Sequence, residues 1–389
     1  MAAKKTVARK DRARLSLEEV RAEIKKKFGD DVLVRGDELK SRTFRRLTTG
    51  SLALDIMLGG GWPVNTWNEI IGNASSGKTS TIFKTIAANQ ALDPNWTVLW
   101  VASETFVHQW AEKAGCDLSR FEFVETNVME EAYEAVLKYV DNRLVDCVVI
   151  DSFPALSPAD EDSNGMDEWQ VGLGARLTGK FLRKSGSATR RSLVDDDRDC
   201  LLLVVNQWRD KIGVLYGDPR TTPGGKAKDY WYFTRVEMKR DEWIEHNKKR
   251  VGIVIKAHTL KNKTAPAERV AAVDFYFDTV PGHPAGEFDY AKDLLMCGLY
   301  TEIIQKGAGG SKGSKFTYLG DVWYGEEAML QALREDLGLQ RQLRSDVLRS
   351  LGVEVEPEPE PEQPKVRRKP AVEKATPTAP KPVRLVRKQ

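Results

Sequence analysis

Cysteine is scarce in this chain: Cys116, Cys147, Cys200 and Cys297 are its four, far apart, with no CxxC pair among them. That spacing offers neither a zinc module nor a disulfide framework, so buried apolar thiols in a reducing compartment are expected. Long apolar runs are missing as well. The longest, around Cys147–Ile150 and Leu201–Val205, are strand-length, far short of the ~18 to 20 residues that a membrane span requires. The first fourteen residues, MAAKKTVARKDRAR, are basic but lack the apolar segment and small-residue cleavage site of a secretory signal. A cytoplasmic protein with no membrane partner is the expectation.

A strong charge of one sign is also lacking, since the formal net charge is only +3. Its distribution says more than its sum. Residues 1–14 carry six Lys/Arg against one Asp, and residues 354–389 carry nine against six Glu, so the body between them is slightly acidic. Any grip on nucleic acid by that body must come from local loops and not from a general positive field.

What is present is enough apolar content, 41% of 389 residues, for a large core. After the tail, Ser16-Leu17-Glu18-Glu19 is a capping box, and Leu17, Val20, Ile24 and Phe28 form a stripe at helical spacing that Gly29 ends. This helix packs either on its own core or on a neighbouring subunit. From about residue 68 the pattern becomes strand, loop, helix, repeated. Trp67–Ile71, Thr97–Ala102, Asp146–Ile150, Leu201–Val205, Gly252–His258 and Val273–Phe277 read as strands, and Glu130–Asn142 as an amphipathic helix. Alternation of this kind predicts an α/β fold with a mostly parallel central sheet covered by helices on both faces. Its active site belongs at the carboxyl ends of the strands.

Beyond Phe288 the composition turns helical with scattered glycines at 307–315, which suggests a small C-terminal domain at 288–352. The last stretch, 353–389, holds eight of the seventeen prolines and few large apolar residues. It is expected to be a disordered tail, Pro/Glu-rich and then Lys/Arg-rich. The remaining boundaries are a disordered basic tail at 1–14, an N-terminal helical region at 15–47 and an α/β core at 48–287.

The most specific local signal is Gly72-Asn73-Ala74-Ser75-Ser76-Gly77-Lys78-Thr79, which fits GxxxxGK[ST] between a strand and a helix. Glycines let successive amides turn onto phosphate oxygens, and the helix N-terminus, with Ser80 beside it, adds partial positive charge. Lys78 is placed to reach the β and γ phosphates of ATP, and Thr79 to ligate Mg²⁺. A second metal ligand must come from the end of a neighbouring strand, and Asp151 directly follows Cys147–Ile150. Such an Asp can equally be a turn residue. Glu104, just past Thr97–Ala102, could orient the attacking water, or be a surface glutamate.

These segments, with Thr48–Asp55, VVIDSFPAL at 148–156, NQWRDKIGV at 206–214, TTPGG at 221–225 and Leu260–Lys263, resemble bacterial and phage RecA recombinases in order and spacing over about residues 15–350. The divergence makes a phage-encoded version plausible. The resemblance implies a RecA-like phosphate-loop core with an N-terminal oligomerisation arm and a small C-terminal α/β domain. It implies ATP-dependent filaments on single-stranded DNA that pair a homologous double-stranded partner and exchange strands. By it, Glu104 matches the catalytic glutamate, Trp110 falls where a ring stacks on adenine, and Gln207 falls at the sensor of the γ-phosphate. Lys261 and Lys263 match lysines that reach a neighbour's ATP across the interface. Without the resemblance they read as a solvated pair at a strand end.

Two DNA-facing loops are implied: Asp160–Gln170, leading to Val171 and Arg176, and Trp208–Gly225, with Arg209, Lys211, Ile212, Gly224 and Gly225. Basic residues there would track phosphates, while Ile212 would wedge between bases. The chain departs from the family pattern at Ala102 and Ser103, at Arg220, where a glutamate is common, and at Asp229, where a lysine is common. Two alternatives remain: a RecA-fold motor of the hexameric helicase kind, and a DNA-binding regulator that does not hydrolyse ATP.

Overall fold

The apolar runs become strands whose side chains alternate between two helical layers. In the computed structural model of the protein the described residues are 15–29, 32–33, 45–160, 172–192, 198–210, 220–225 and 227–353. The tails at 1–14 and 354–389 lie outside them. Two short strands, β1 (Arg46–Leu47) and β2 (Trp62–Pro63), pair antiparallel beside the main sheet. That sheet contains β3 (Trp67–Ile71), β4 (Val98–Ala102), β5 (Phe121–Glu125), β6 (Cys147–Asp151) and β7 (Leu201–Asn206). A two-stranded ribbon, β8 (Arg209–Asp210) with β9 (Arg220–Thr221), follows. The main sheet then continues with β10 (Thr234–His246), β11 (Lys249–Asn262), β12 (Val270–Tyr276) and β13 (Glu287–Phe288).

Across the nine-stranded sheet the order is β13-β12-β11-β10-β3-β7-β6-β4-β5. From β10 to β5 every neighbour is parallel, and from β10 to β13 every neighbour is antiparallel. Period-two alternation explains how both faces are covered. Val98, Trp100, Cys147, Val149, Leu201 and Leu203 share one cluster with Ile82, Phe83 and Ile86 of the helix Lys78–Leu92. The intervening residues, Leu99, Val101, Val148, Ile150, Leu202 and Val204, share another with the helices Met129–Asp141 and Leu173–Ser192. Each fully buried aliphatic side chain contributes roughly 1.5 to 3 kcal/mol before chain entropy is subtracted. All four cysteines are buried and free.

Two differences from the sequence reading have clear causes. The strand expected at Gly252–His258 is part of β11 in a long hairpin with β10, whose outer β10 arm from Lys239 to His246 is charged and mostly exposed. Its polar alternation hid it from a search for apolar runs. The segment after Phe288 is not simply helical: the helices Tyr290–Tyr300, Glu326–Glu335 and Leu337–Ser350 cover a three-stranded meander of β14 (Gln305–Ala308), β15 (Ser314–Tyr318) and β16 (Asp321–Tyr324). The glycine-rich run at 307–315 forms the first turn of this meander. These elements enclose a third cluster around Phe316, Leu295, Met329 and Leu343, into which Leu52 projects. Asp293 fastens it to the helix Leu52–Leu58, accepting from the amides of Leu52 at 2.7 Å and Ala53 at 3.1 Å.

The helix Leu17–Phe28 carries the expected capping box. None of its residues is buried, and Leu17 and Phe28 are 66% and 58% exposed. The stripe therefore has no core of its own among the described residues. No described helix is long and apolar enough to cross a membrane.

Candidate nucleotide site and DNA-facing loops

Strand β3 delivers Gly72 into a loop that ends on Gly77, which caps the helix Lys78–Leu92 in the left-handed conformation at φ 88°. The close approach is obligatory. A Cβ on Gly72 would collide with the Met238 carbonyl oxygen and Ser76 Oγ, and one on Gly77 with Ile255. Lys78 is buried and its ammonium folds back on the loop, donating to the carbonyls of Gly72 at 3.1 Å and Asn73 at 2.7 Å. Burial lowers its pKa, while the charges of Asp151 and Glu104 raise it. Asn73, Ala74 and Ser75 are exposed at the loop's crest. Ser76 Oγ is buried without a hydrogen-bond partner.

Parallel pairing sets the other groups. Because β7 lies between β3 and β6, and β4 beyond β6, the residues that follow these strands converge on one edge. Thr79 Oγ1 donates to Asp151 Oδ2 at 3.1 Å. Burial, with Glu104 adding to it, pushes the Asp151 carboxyl up to about 6, and the Thr79 bond and Lys78 oppose the rise. Glu104 is exposed at the end of β4, and its carboxylate accepts from Ser152 Oγ. Ser103, one of the departures, donates to the Ser152 carbonyl at 2.7 Å and so holds the two strand ends together. Gln207 follows Asn206, whose carbonyl accepts from the Gly72 amide at 3.4 Å.

Beside the loop opens a cavity of about 480 Å³, lined by Thr79, Ser80, Glu104 and Asp151 at one end and by Phe106, Trp110, Trp243 and Phe277 toward the other. That volume suits a nucleotide-sized ligand. Trp110 was expected there; Phe106, Trp243 and Phe277 were not. Trp243 comes from the charged arm of β10, with the guanidiniums of Arg240 and Arg250 at 4.2 and 4.5 Å from its ring centre. Phe277 meets it edge-on at 6.4 Å. The available signal was a lone indole in the charged stretch KRDEWIEHNKKR, which does not by itself say which side of the strand it faces.

Lys261 and Lys263 do not line this cavity. Lys261 sits opposite Arg235 in the ladder, level with Glu69 and short of the phosphate loop. Its ammonium donates to the Asp229 carbonyl and that of Lys263 to the Tyr230 carbonyl at 2.8 Å. Burial, with the charges of Lys263 and Arg235, lowers the Lys261 pKa to about 8. Two cations crowded in this way suit an incoming anion.

Of the DNA set, Val171, Lys211 and Ile212 lie outside the described residues. The others gather beside the same strand ends. Gly225, at φ 70°, approaches Ala175 so closely that a Cβ would clash, and Gly224 likewise abuts Phe153. The exposed Arg176 is next to Ala175, and the exposed Arg209 starts the β8–β9 ribbon. Glu69 on β3 ties this region to the phosphate loop. It accepts from Asn206 Nδ2 at 2.8 Å and Arg235 Nε at 2.5 Å, and Arg235 Nη2 donates to Thr222 Oγ1 at 3.3 Å.

A family model described as the RecA N-terminal domain matches residues 15–280. The protein RecA of Thermus aquaticus is 33% identical over 340 residues, spanning 86% of this chain and 94% of that one. That of Lactobacillus delbrueckii subsp. bulgaricus is 30% identical over 377 residues, 96% of each chain, and that of Staphylococcus carnosus 30% over 341 residues, 87% and 90%. With the matching model covering well over half of its length, this chain belongs to the RecA family.

Proposed function

We propose that the chain is an ATP-dependent recombinase that forms helical filaments on single-stranded DNA, pairs it with homologous duplex and hydrolyses ATP in a DNA-stimulated cycle. The observation that carries this is the continuous polar chain from β3 through Glu69 and Arg235 to Thr222, which puts the phosphate loop and the TTPGG run on one framework. A motor or a passive regulator would have no need of the NQWRDKIGV and TTPGG blocks that this link joins.

The partnerless Ser76 hydroxyl, the cradle that admits no Cβ at Gly72 and the Thr79–Asp151 oxygen pair all fit a triphosphate with Mg²⁺. No group of three His, Cys, Asp or Glu side chains among the described residues could hold a metal, so Thr79 and Asp151 would share it with phosphate oxygens and water. Bound there, Mg²⁺ would offset charge on the phosphates. Lys78 would swing from the Gly72 and Asn73 carbonyls onto phosphate oxygens, and the loop amides would face them. Glu104 would orient the attacking water and accept its proton, held in aim by Ser152. Gln207, one residue past the Gly72–Asn206 contact, would report the γ-phosphate to the loop beyond it.

The exposed stripe on Leu17–Phe28 would dock on the next copy, and Lys261 and Lys263 would reach that neighbour's ATP. Residues 288–352 would form the small C-terminal domain. Arg176, Arg209 and the close-packed Gly224 and Gly225, with Val171, Lys211 and Ile212, would line the DNA path, where the bound strand and not the protein reads sequence by base pairing. A joint-molecule assay with homologous single-stranded and duplex DNA tests this. Products that need ATP and homology are expected; their absence, or closed rings in electron microscopy with single strands and an ATP analogue, would overturn it.

The aromatic end of the cavity would hold the base. Base–aromatic contacts are worth roughly 1 to 3 kcal/mol, so Trp243→Ala should raise the Kd for ATP about tenfold and leave that for tripolyphosphate unchanged. Equal losses for both ligands would place Trp243 outside the base site.

A further inference from the structure

We infer that Glu237 is the positioning residue for the second DNA-facing loop, holding its two ends together and fixing them to the phosphate-loop strand. The inference rests on the reading of 208–225 as a DNA contact, and it concerns only the described ends, 208–210 and 220–225.

Glu237 lies on β10 opposite Ile71, the last residue before Gly72. Its side chain is only 4% exposed, so it needs partners. It has three. Oε1 accepts from Trp208 Nε1 at 2.9 Å and from Arg220 Nη1 at 2.6 Å, and Oε2 faces Lys239 Nζ at 3.1 Å. Trp208 precedes the outgoing strand β8 and Arg220 opens the returning strand β9, so one carboxylate oxygen binds both ends of the segment. The Arg220 guanidinium also lies over the Trp208 ring at 4.5 Å. Indole, guanidinium and carboxylate thus interlock at the base of the β8–β9 ribbon.

The consequence is mechanical. A displacement of the β3–β10 edge caused by phosphate occupancy at Gly72 reaches both ribbon strands at once, because they hang from one side chain beside Ile71. The departure at Arg220 has its explanation here: a glutamate at 220 would repel Glu237, whereas the arginine pairs with it. Coupling between two ligand sites is commonly 5- to 150-fold in affinity, and a shared anchor of this kind can carry it.

The test measures binding of a labelled oligo-dT by the full-length protein with a non-hydrolysable ATP analogue and with ADP. In the unaltered protein the ratio of the two affinities reports the coupling. Glu237→Gln should cut that ratio about tenfold and leave the Kd for the ATP analogue itself unchanged. Arg220→Ala should do the same, Arg220→Lys should keep most of the ratio, and the double variant Arg220→Ala with Glu237→Gln should be no worse than either single, since both break the same Arg220–Glu237 pair. Additive losses, or an unchanged ratio in Glu237→Gln, would overturn the inference. Arg209→Ala separates this from the underlying reading. If it weakens DNA binding while Glu237→Gln leaves the ratio intact, only the positioning role fails; if Arg209→Ala changes nothing, the DNA path and the positioning role fail together.

Discussion

Lys78→Ala should abolish ATP hydrolysis and joint-molecule formation while leaving the protein folded. The ammonium is the one cation buried inside the loop, 2.7 Å from the Asn73 carbonyl. Burial disfavours its charge, and the nearby carboxylates of Asp151 and Glu104 retain it. Truncation removes an uncomfortable buried charge and is expected to cost little stability, as is common when such a group is deleted without stranding a close ion-pair partner. The chemical loss is larger. A preorganised donor aimed at charge that develops in a transition state is worth roughly 10² to 10³ in rate, and a full positive charge on transferring phosphate belongs at or above that range. Strand exchange should fall with hydrolysis because, without the Lys78 charge on the phosphates, the nucleotide would not be held in place for Gln207 to report. A coupled-enzyme hydrolysis assay beside a thermal melt checks both halves. Retained turnover with an unchanged melt would show that the loop is not the nucleotide site.

The legibility of this site in the sequence follows the distance along the chain over which each part is assembled. The phosphate loop is contiguous, and its glycines and lysine are required by local backbone geometry, so Gly72–Thr79 could be read directly. Asp151 and Glu104 were readable as candidates one step further out, because each lies at the end of an apolar strand and parallel strands end on a common edge, whereas Gln207 was named only through the family resemblance. The aromatic end was not readable. Trp243 and Phe277 reach the cavity through the long hairpin and its neighbour, more than 130 residues from Trp110, and nothing in a charged stretch announces which side of a twisted ribbon it will face. The same holds for Glu237, whose partners at 208 and 220 come from flanking segments with no periodicity. The strands of the C-terminal meander, implied by the family resemblance, were not readable from composition because Gly and Lys at 305–315 carry little strand signal of their own; Phe316 and Tyr318, packed under the helix Glu326–Glu335, fix them there. The helix Leu17–Phe28 marks the opposite limit: its own fold was legible to the residue, yet its stripe has no partner among the described residues.

Glu104→Gln isolates the chemical step. The substitution keeps the shape and the acceptor oxygen that Ser152 Oγ uses, so the strand end should stay in place. It removes the ability to take a proton from water, and general-base assistance is typically worth 10² to 10⁴, so turnover should drop by about that factor. Binding should move the other way. Burial, with the Glu104 charge adding to it, raises Asp151 to about 6; removing that charge lowers the value and so cannot weaken the ionised Asp151 as an oxygen ligand. The variant should therefore bind ATP at least as tightly, form filaments on single-stranded DNA, and hold them, because the nucleotide proposed to stiffen the loop through Glu69, Arg235 and Glu237 would no longer be consumed. Hydrolysis rates and electron microscopy of the same preparation give the two readouts. Turnover unchanged from the parent would remove Glu104 from the reaction, and loss of both turnover and filaments would make it a structural residue of the β4–β6 edge; only filaments that persist without hydrolysis are consistent with a carboxylate whose task is the water.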